Sequence, residues 1–333
     1  MIIFVTGATG VLGRPVVKQL VESGHEVRAL SRSPANREQL LQTGAIPLAV
    51  DMFEPVSLAT ALQDCDAVLH LATRIPSVSE MKKPEIWEDN DRIRLEGTRS
   101  IITAIESAPS VKTLIYPSIS LFYDNGGTDW ITADNAAVEP CTVHQSTLVA
   151  EEAVLEFARG AQDRKGIVLR FGSFYGPSSP DSVQTLAMAG NGLAMSVADS
   201  GAYKSMIWID DAASAVVDAL ERAPTGIYDV VEDIPSTQRE AIDALANAVG
   251  RKQLFTLPRL LLRFVLPTEL RRLVARSQRI SNIRFCEVTG WRPEVPSQRI
   301  GWQLMRDVTN THGTHLRSDN RNEPGGAAST ASV

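Results

Sequence analysis

Short apolar runs alternate with longer runs in which apolar residues recur at helical spacing through the first half of this chain. Near-continuous apolar strands separated by amphipathic helices are typical of a parallel sheet that helices cover on both faces. The pattern predicts strands at Ile2–Thr6, Glu26–Leu30, Ile46–Val50, Ala67–Leu71, Thr113–Pro117 and Ile167–Phe171. It predicts helices at Val11–Ser23, Pro34–Leu41, Val56–Leu62, Glu85–Glu106, Thr142–Arg159 and Asp211–Arg222.

Composition and charge narrow the function classes. The 333 residues are 44% hydrophobic and carry a net charge of −6, so no overall positive field attracts nucleic acid. No apolar run reaches the roughly 18 residues that a membrane span needs, and no basic segment precedes the first apolar run. The three cysteines, Cys65, Cys141 and Cys286, are too scattered for a disulfide framework or a zinc site. We therefore expect a cytoplasmic protein with no metal, no membrane partner and a small-molecule substrate.

A glycine-rich turn follows the first predicted strand directly. Gly7, Gly10 and Gly13 lie at the junction of that strand with a helix, and a strand–helix–strand unit follows within thirty residues. A first glycine permits the tight turn, a second lets the backbone approach a pyrophosphate, and a third lets helix and strand pack closely. The helix N-terminus adds free N–H groups and a positive partial charge. The pattern predicts a dinucleotide site that includes Gly7, Thr9, Gly10, Val11, Leu12, Gly13 and Arg14.

The residues after the second strand indicate which dinucleotide is bound. An acidic residue there would hydrogen-bond the adenosine ribose, but the chain has Ser31 and Arg32 and no acid. A guanidinium at Arg32, assisted by Arg14, can hold a 2′-phosphate, so we expect NADP(H) in preference to NAD(H). Further cofactor contacts are expected at the ends of the third and fourth strands, from Asp51, Met52, Leu71, Ala72 and Thr73.

The second half of the chain is less regular and predicts a smaller lobe. The segment 178–205 is rich in small residues and suggests a loop over the site. We expect an α/β fold, a doubly wound, Rossmann-like parallel sheet with a smaller C-terminal substrate lobe. Residues 1–172 would form the dinucleotide domain, with 206–232 returning to it, and residues 173–310 would form mainly the substrate lobe. The polar, small-residue segment 311–333 predicts a disordered tail.

Further motifs follow one another along the chain in a fixed order, namely Thr6–Gly13, Asp51, His70–Thr73, Glu96–Thr98, Ile167–Pro177, Trp208–Ala213 and Gly290–Pro293. This ordered set resembles the motifs of extended short-chain dehydrogenases/reductases of the NAD-dependent epimerase/dehydratase type. The resemblance covers roughly residues 1–305, and the ordered set is more specific than any single motif. It also allows a homodimer formed through the two long helices at Glu85–Glu106 and Thr142–Arg159.

The resemblance implies a Ser or Thr, a Tyr and a Lys in the active site, and this chain departs from that set. In the family the Tyr exchanges a proton with substrate, and the Lys four residues later lowers the Tyr pKa and holds the nicotinamide ribose. Here His144 and Leu148 occupy those two positions. Ile119 occupies the serine position between Ser118 and Ser120. Arg94 replaces a family Asn and Trp208 replaces a family His.

Three interpretations of these departures remain open. The protein could be a redox enzyme in which His144 serves as the acid and Ser118 or Ser120 orients substrate, because His titrates near neutral pH without a lysine. It could instead catalyse a non-redox isomerisation, cyclisation or elimination, or bind NADP(H) as a sensor. It also remains open whether a lysine of the C-terminal lobe, such as Lys204, replaces the family lysine whose position is occupied by Leu148.

The predicted substrate pocket combines residues of the sheet edge and the lobe. Met206, Trp208 and Phe122 favour a substrate that is less polar than a nucleotide sugar, provided that these side chains face the pocket. The expected pocket residues are Phe122, Tyr123, Ser173, Phe174, Tyr175, Met206 and Trp208.

Overall fold

The computed structural model describes residues 1–75, 83–257, 259–264 and 266–319. The strands are β1 (Ile2–Thr6), β2 (Glu26–Leu30), β3 (Ile46–Leu48), β4 (Ala67–His70), β5 (Thr113–Ile119), β6 (Trp130–Ile131), β7 (Lys165–Phe171), β8 (Ser173–Tyr175), β9 (Leu193–Met195), β10 (Tyr203–Lys204), β11 (Met206–Trp208), β12 (Gly226–Val230), β13 (Ser236–Thr237), β14 (Phe255–Leu257) and β15 (Arg279–Ile280). The helices are α1 (Gly13–Glu22), α2 (Pro34–Gln42), α3 (Pro55–Ala61), α4 (Pro84–Arg92), α5 (Thr98–Glu106), α6 (Gln145–Arg159), α7 (Pro180–Gly190), α8 (Ile209–Arg222), α9 (Gln238–Ala248), α10 (Thr268–Ala275), α11 (Ile283–Thr289) and α12 (Gln298–Asp319).

Seven parallel strands form the main sheet in the order β12-β7-β5-β4-β1-β2-β3. This arrangement confirms the predicted doubly wound α/β fold, with the change of winding direction between β1 and β4. Strand β12 forms one edge of the sheet, so the segment 206–232 contributes to the same layer as β1. Ligands of such sheets bind at the carboxyl ends of the strands, beside this change of direction.

Apolar side chains pack on both faces of the sheet. One face is covered by α1 and α8, with Val16, Leu20 and Val216 among the fully buried residues. The other is covered by α3, α5 and α6, with Leu58 and Ile101 buried there. Burial on both faces explains why the strands read as continuous apolar runs rather than as alternating patterns.

The helix predicted at Glu85–Glu106 is interrupted in the structure. Helices α4 and α5 are joined by a π-helical turn at Ile93–Gly97. A π-turn inserts one extra residue into the helical ladder and changes the direction of the side chains around it. Here it places the charged side chain of Arg94 inward, with only 3% of the residue exposed.

The C-terminal lobe contains more regular structure than the sequence suggested. Within the segment 178–205, predicted as a loop, residues Pro180–Gly190 form α7. Ser179 caps this helix by accepting a hydrogen bond from the backbone of Ser182, and Pro180 suits the first helical position. The expectation of a loop was therefore wrong for these residues, because a capped start outweighs their small side chains.

The C-terminal end of the chain is described as far as Asp319. Helix α12 runs from Gln298 to Asp319 and so includes the first nine residues of the segment 311–333 that was predicted as a disordered tail. Residues 320–333 lie outside the described residues, and for them the disordered tail stays a prediction. Among the described residues, no helix combines the length and apolar character needed to cross a bilayer.

Candidate functional site

The glycine turn between β1 and α1 has the geometry of a phosphate cradle. Gly7 has φ +69°, and a Cβ added there would lie 2.5 Å from the backbone nitrogen of Ala72. A Cβ on Gly13 would lie 2.1 Å from the carbonyl oxygen of Gly7. Both positions therefore exclude any side chain. The N-cap residue of α1, Leu12, makes no side-chain cap; the backbone N–H of Arg14 donates to the carbonyl oxygen of Gly10 and Pro15 has no N–H, so the N–H groups of Val11, Leu12 and Gly13 are the ones left for an anion.

The other predicted cofactor residues follow the neighbouring strands at the same edge of the sheet. Arg14 and Arg32 are exposed, and neither forms an ion pair with a described residue. Asp51 is also exposed, and one of its carboxylate oxygens accepts a hydrogen bond from the backbone of Phe53 at 2.9 Å. The exposed guanidinium groups of Arg14 and Arg32 are therefore available to bind a 2′-phosphate on the adenosine side of the cofactor. The remaining predicted contacts at this edge are Thr9, Gly10, Val11, Ser31, Met52, Leu71, Ala72 and Thr73.

A buried ion pair lies behind the end of β5. The Glu151 carboxylate, on α6, accepts hydrogen bonds from Arg170 Nε at 3.0 Å and from Arg170 Nη2 at 2.6 Å. The Ser118 hydroxyl also donates to this carboxylate. Because its proton is directed to Glu151, Ser118 is not available in this structure as a hydrogen-bond donor to substrate.

The same guanidinium continues the network towards β12. Arg170 Nη1 donates to the Tyr123 hydroxyl at 3.0 Å, and Tyr123 donates to Asp229 at 2.7 Å. The second oxygen of Asp229 accepts a hydrogen bond from the backbone of Ala133. Burial raises the pKa of Asp229 to about 6, and burial together with Asp229 raises the pKa of Tyr123. Tyr123, predicted to line the pocket, is fully buried and holds this network together.

The two remaining predicted catalytic residues are also engaged by the protein. The Ser120 hydroxyl donates to the carbonyl oxygen of Phe171 at 3.0 Å. His144 Nδ1 lies 3.2 Å from Cys141 Sγ, and the ring meets Trp87 edge-on with 6.0 Å between centroids. Burial, with a smaller effect from the Arg94 charge, lowers the pKa of His144 to about 4. The imidazole is therefore uncharged at neutral pH, which weakens its case as a proton donor.

The family lysine has no counterpart near the start of α6. Leu148 is half-buried and the preceding Thr147 is fully buried, with no hydrogen-bond partner for its hydroxyl among the described residues. Lys204 is held in the lobe, where its Nζ donates to the carbonyl oxygens of Val274 at 2.6 Å and Arg276 at 2.7 Å. Burial lowers the Lys204 pKa to about 8. Lys204 therefore joins backbone carbonyl groups within the lobe in this structure and does not replace the family lysine that is absent at Leu148.

Most of the aromatic residues predicted for the pocket pack in the protein interior. Tyr175 is fully buried against Trp208 and Trp302, with centroid distances of 5.3 and 5.5 Å. Phe122 is also fully buried, and Met206 is half-buried against the lobe core. This packing removes the argument for an apolar substrate that Met206, Trp208 and Phe122 supplied. Ser173 is exposed and Phe174 is half-buried beside Phe171.

Sequence reasoning missed the charged residues that organise the site. Arg170 stands inside an otherwise apolar strand, and Glu151 stands on the same helical face as the buried Thr147, Ala150 and Val154. A charge at a position where the pattern calls for an apolar residue is the signal that could have identified both, because buried charges are paired. The opposite signs of these two charges would then have suggested an ion pair between them.

Comparison with known proteins identifies the family of this chain. The model of the NAD dependent epimerase/dehydratase family matches residues 3–230. A 3-diazoavenalumate denitrifying reductase from a Streptomyces species is 28% identical over 305 residues, which make up 90% of this chain and 99% of that protein.

Solved structures share the fold. A human epimerase family protein solved with NADPH has a TM-score of 0.76 at 22% identity and covers 92% of this chain and 99% of its own. A Thermus thermophilus UDP-glucose 4-epimerase solved with NAD has a TM-score of 0.72 at 21% identity, with coverages of 92% and 98%. Proteins of this fold thus include both NADPH and NAD complexes.

Proposed function

Because this chain belongs to the NAD-dependent epimerase/dehydratase family, we propose that it is a nicotinamide-dependent reductase of a small organic molecule with an atypical active site. The observation that carries the proposal is the glycine cradle, where Gly7 and Gly13 leave no room for a Cβ beside the open start of α1. A reductase is favoured over an epimerase by the name of the Streptomyces relative, which matches along nearly its whole length.

The residues present fit the cofactor. Gly7, Gly10 and the N–H groups at the start of α1 would hold the pyrophosphate, and Arg14 and Arg32 would hold a 2′-phosphate. The bound reduced nicotinamide would supply a hydride. We infer a preference for NADP(H), since both arginines are exposed and lack an ion pair with a described residue.

The preference can be tested by replacing Arg32. Arg32→Ala should weaken NADPH binding by about 1.5–3 kcal/mol, the value of a hydrogen bond to a charged group, and leave NADH binding nearly unchanged. Fluorescence titration of both nucleotides measures this. If NADPH affinity does not fall, the 2′-phosphate is held by other residues or the preference is absent.

The hydrogen bonds of the site favour a substrate that needs no proton from the protein. Ser118 donates to Glu151, Ser120 donates to a backbone carbonyl, and His144 is neutral near pH 7. Reduction of a ketone requires a proton donor for the developing alkoxide, the task of the family Tyr. Within the described residues near β5 and α6, no Tyr–Lys pair is placed to perform it.

A diazonium group is an acceptor that meets this condition. Its replacement by hydrogen consumes one hydride, breaks a C–N bond, forms a C–H bond and releases N₂, with no proton taken from the protein. The Streptomyces relative is named for the reduction of a diazo compound with loss of nitrogen. We therefore favour an aromatic diazonium compound as the substrate class of this chain.

Two acceptors of similar size test this proposal. The protein is incubated with NADPH deuterated at the hydride-donating carbon and with either para-hydroxybenzenediazonium or para-hydroxyacetophenone, each beside a protein-free control. We expect deuterated phenol, N₂ and NADPH oxidation with the diazonium salt only. Reduction of the ketone, lost in His144→Gln, would instead support His144 as an acid. Tight NADPH binding without oxidation by either compound would favour the non-redox or sensing alternatives.

A further inference from the structure

One buried cation near the site has no anionic partner among the described residues. Arg94 is only 3% exposed, and its Nη1 donates to the Tyr116 hydroxyl at 2.5 Å. Among the residues that the structure describes, its Nε has no hydrogen-bond partner and no carboxylate forms an ion pair with this side chain. The other buried guanidinium, that of Arg170, is paired with Glu151 and differs from Arg94 in this respect.

A chain of contacts joins Arg94 to the glycine cradle. Tyr116 lies on β5, and its ring centroid is 5.9 Å from that of His70 at the end of β4. His70 Nδ1 lies 2.8 Å from Thr6 Oγ1, which accepts a hydrogen bond from the backbone of Ala72. Ala72 is the residue that a Cβ on Gly7 would strike. Arg94 is thus connected to the β4–β5 side of the cradle through Tyr116, His70 and Thr6.

This side is where the second half of a dinucleotide must lie. The pyrophosphate belongs at the start of α1, after the central β1, and the adenosine-binding candidates follow β2 and β3 on one side of it. The nicotinamide half of a bound dinucleotide would therefore lie over β4 and β5, because dinucleotides bind across the change of winding direction.

Among the described residues, Arg94 has unused hydrogen-bond donors on the β4–β5 side of the cradle. A guanidinium carries five N–H groups in a rigid fork, and within the described residues one bond from this fork, to Tyr116, is formed. An isolated charge is costly to bury, so a buried cation of this kind requires a polar partner. Two vicinal hydroxyls present oxygen acceptors at the spacing of the fork.

We propose that Arg94 holds the nicotinamide ribose hydroxyls and thereby supplies the cation that is lost at Leu148. The proposal rests on cofactor binding as set out under the proposed function. It makes Arg94 a residue of the cofactor site, reached from the π-helical turn between α4 and α5 instead of from α6. The turn explains how a residue of that helix can direct its side chain towards β5.

The test separates the two halves of the cofactor. Affinities for NADPH and for adenosine 2′,5′-bisphosphate, which lacks the nicotinamide ribose, are measured by calorimetry for wild type, Arg94→Met and Arg94→Lys. Arg99→Met is the matched control, because Arg99 is exposed on the adjoining helix α5. Should NADH bind more tightly than NADPH, NADH and ADP serve as the pair.

We expect Arg94→Met to bind NADPH about 10- to 100-fold more weakly, the effect of one or two hydrogen bonds from a charged donor, with unchanged affinity for the bisphosphate. Arg94→Lys should show a smaller loss confined to NADPH, and it is the deciding variant if Arg94→Met does not fold. Equal losses for both ligands, or no loss, overturn the proposal. If wild type binds neither ligand, the proposed function itself fails.

Discussion

Replacement of Arg170 by methionine tests the buried network at the end of β5. Arg170 and Glu151 are joined by two hydrogen bonds, and their side chains are 6% and 4% exposed. In Arg170→Met the Glu151 carboxylate would remain buried with the Ser118 hydroxyl as its neighbour. Removal of one partner of a buried ion pair costs about 3–5 kcal/mol, because a charge is left without compensation. That is a large share of the about 5–15 kcal/mol by which a protein is stable.

The control is an exposed ion pair on α6, the helix that carries Glu151. Arg159 Nη1 and Glu152 Oε1 are also close, at 2.7 Å, but their side chains are 64% and 57% exposed. Arg159→Met should cost less than about 1 kcal/mol. Urea unfolding gives both free energies from the midpoint and the slope of the transition.

Two results would refute this reasoning. Similar losses of unfolding free energy in Arg170→Met and Arg159→Met would mean that burial does not determine how much an ion pair contributes to stability. The double variant Arg170→Met/Glu151→Leu should recover much of the lost stability, since it removes the uncompensated carboxylate. A double variant as unstable as the sum of its single changes would assign the cost to lost packing instead.

Two further predictions concern His144 and the glycine cradle. The unfolded chain binds a proton at His144 below about pH 6.5, whereas the folded chain does so only below about pH 4, so the titration of this residue has almost no effect on folding at pH 7 and opposes folding progressively as the pH falls. The free energy of unfolding of wild type relative to His144→Gln should therefore drop by about 3 kcal/mol between pH 7 and pH 4, as measured by urea unfolding, and a constant difference would contradict the burial of a neutral ring. Gly7→Ala should lower the melting temperature and abolish NADPH binding, because its Cβ would strike the backbone of Ala72. Gly24→Ala, which also has positive φ but meets no atom within 4 Å, should cost only the backbone term of about 1–2 kcal/mol, and equal effects of the two changes would refute the close approach at Gly7.

The fold was predictable because its signals are local. Strand β1, the turn at Gly7–Gly13 and helix α1 follow one another within 22 residues, and each has a pattern that sterics and helix geometry explain. The parallel sheet followed from strands that are apolar on both faces. These features depend on neighbouring residues, so they can be recognised without knowing which distant segments meet.

The polar core of the site depends on residues that meet only in the folded chain. Tyr123 and Asp229 are separated by 106 positions, and their hydrogen bond follows from the packing of β12 beside β7. The inward direction of Arg94 depends on the π-helical turn, for which helical periodicity gives no signal. The hydrogen-bond partners of Ser118 and His144, which decide what these residues can do, were likewise invisible in the sequence.

Whether the glycine cradle binds a reduced nicotinamide cofactor is decided by a fluorescence titration of the purified protein with NADPH and NADH. We expect saturable binding with enhanced, blue-shifted nicotinamide emission, tighter for NADPH than for NADH and lost in Gly7→Ala. Absence of binding by both nucleotides would contradict this expectation, and the chain would then retain the fold of the family without its cofactor.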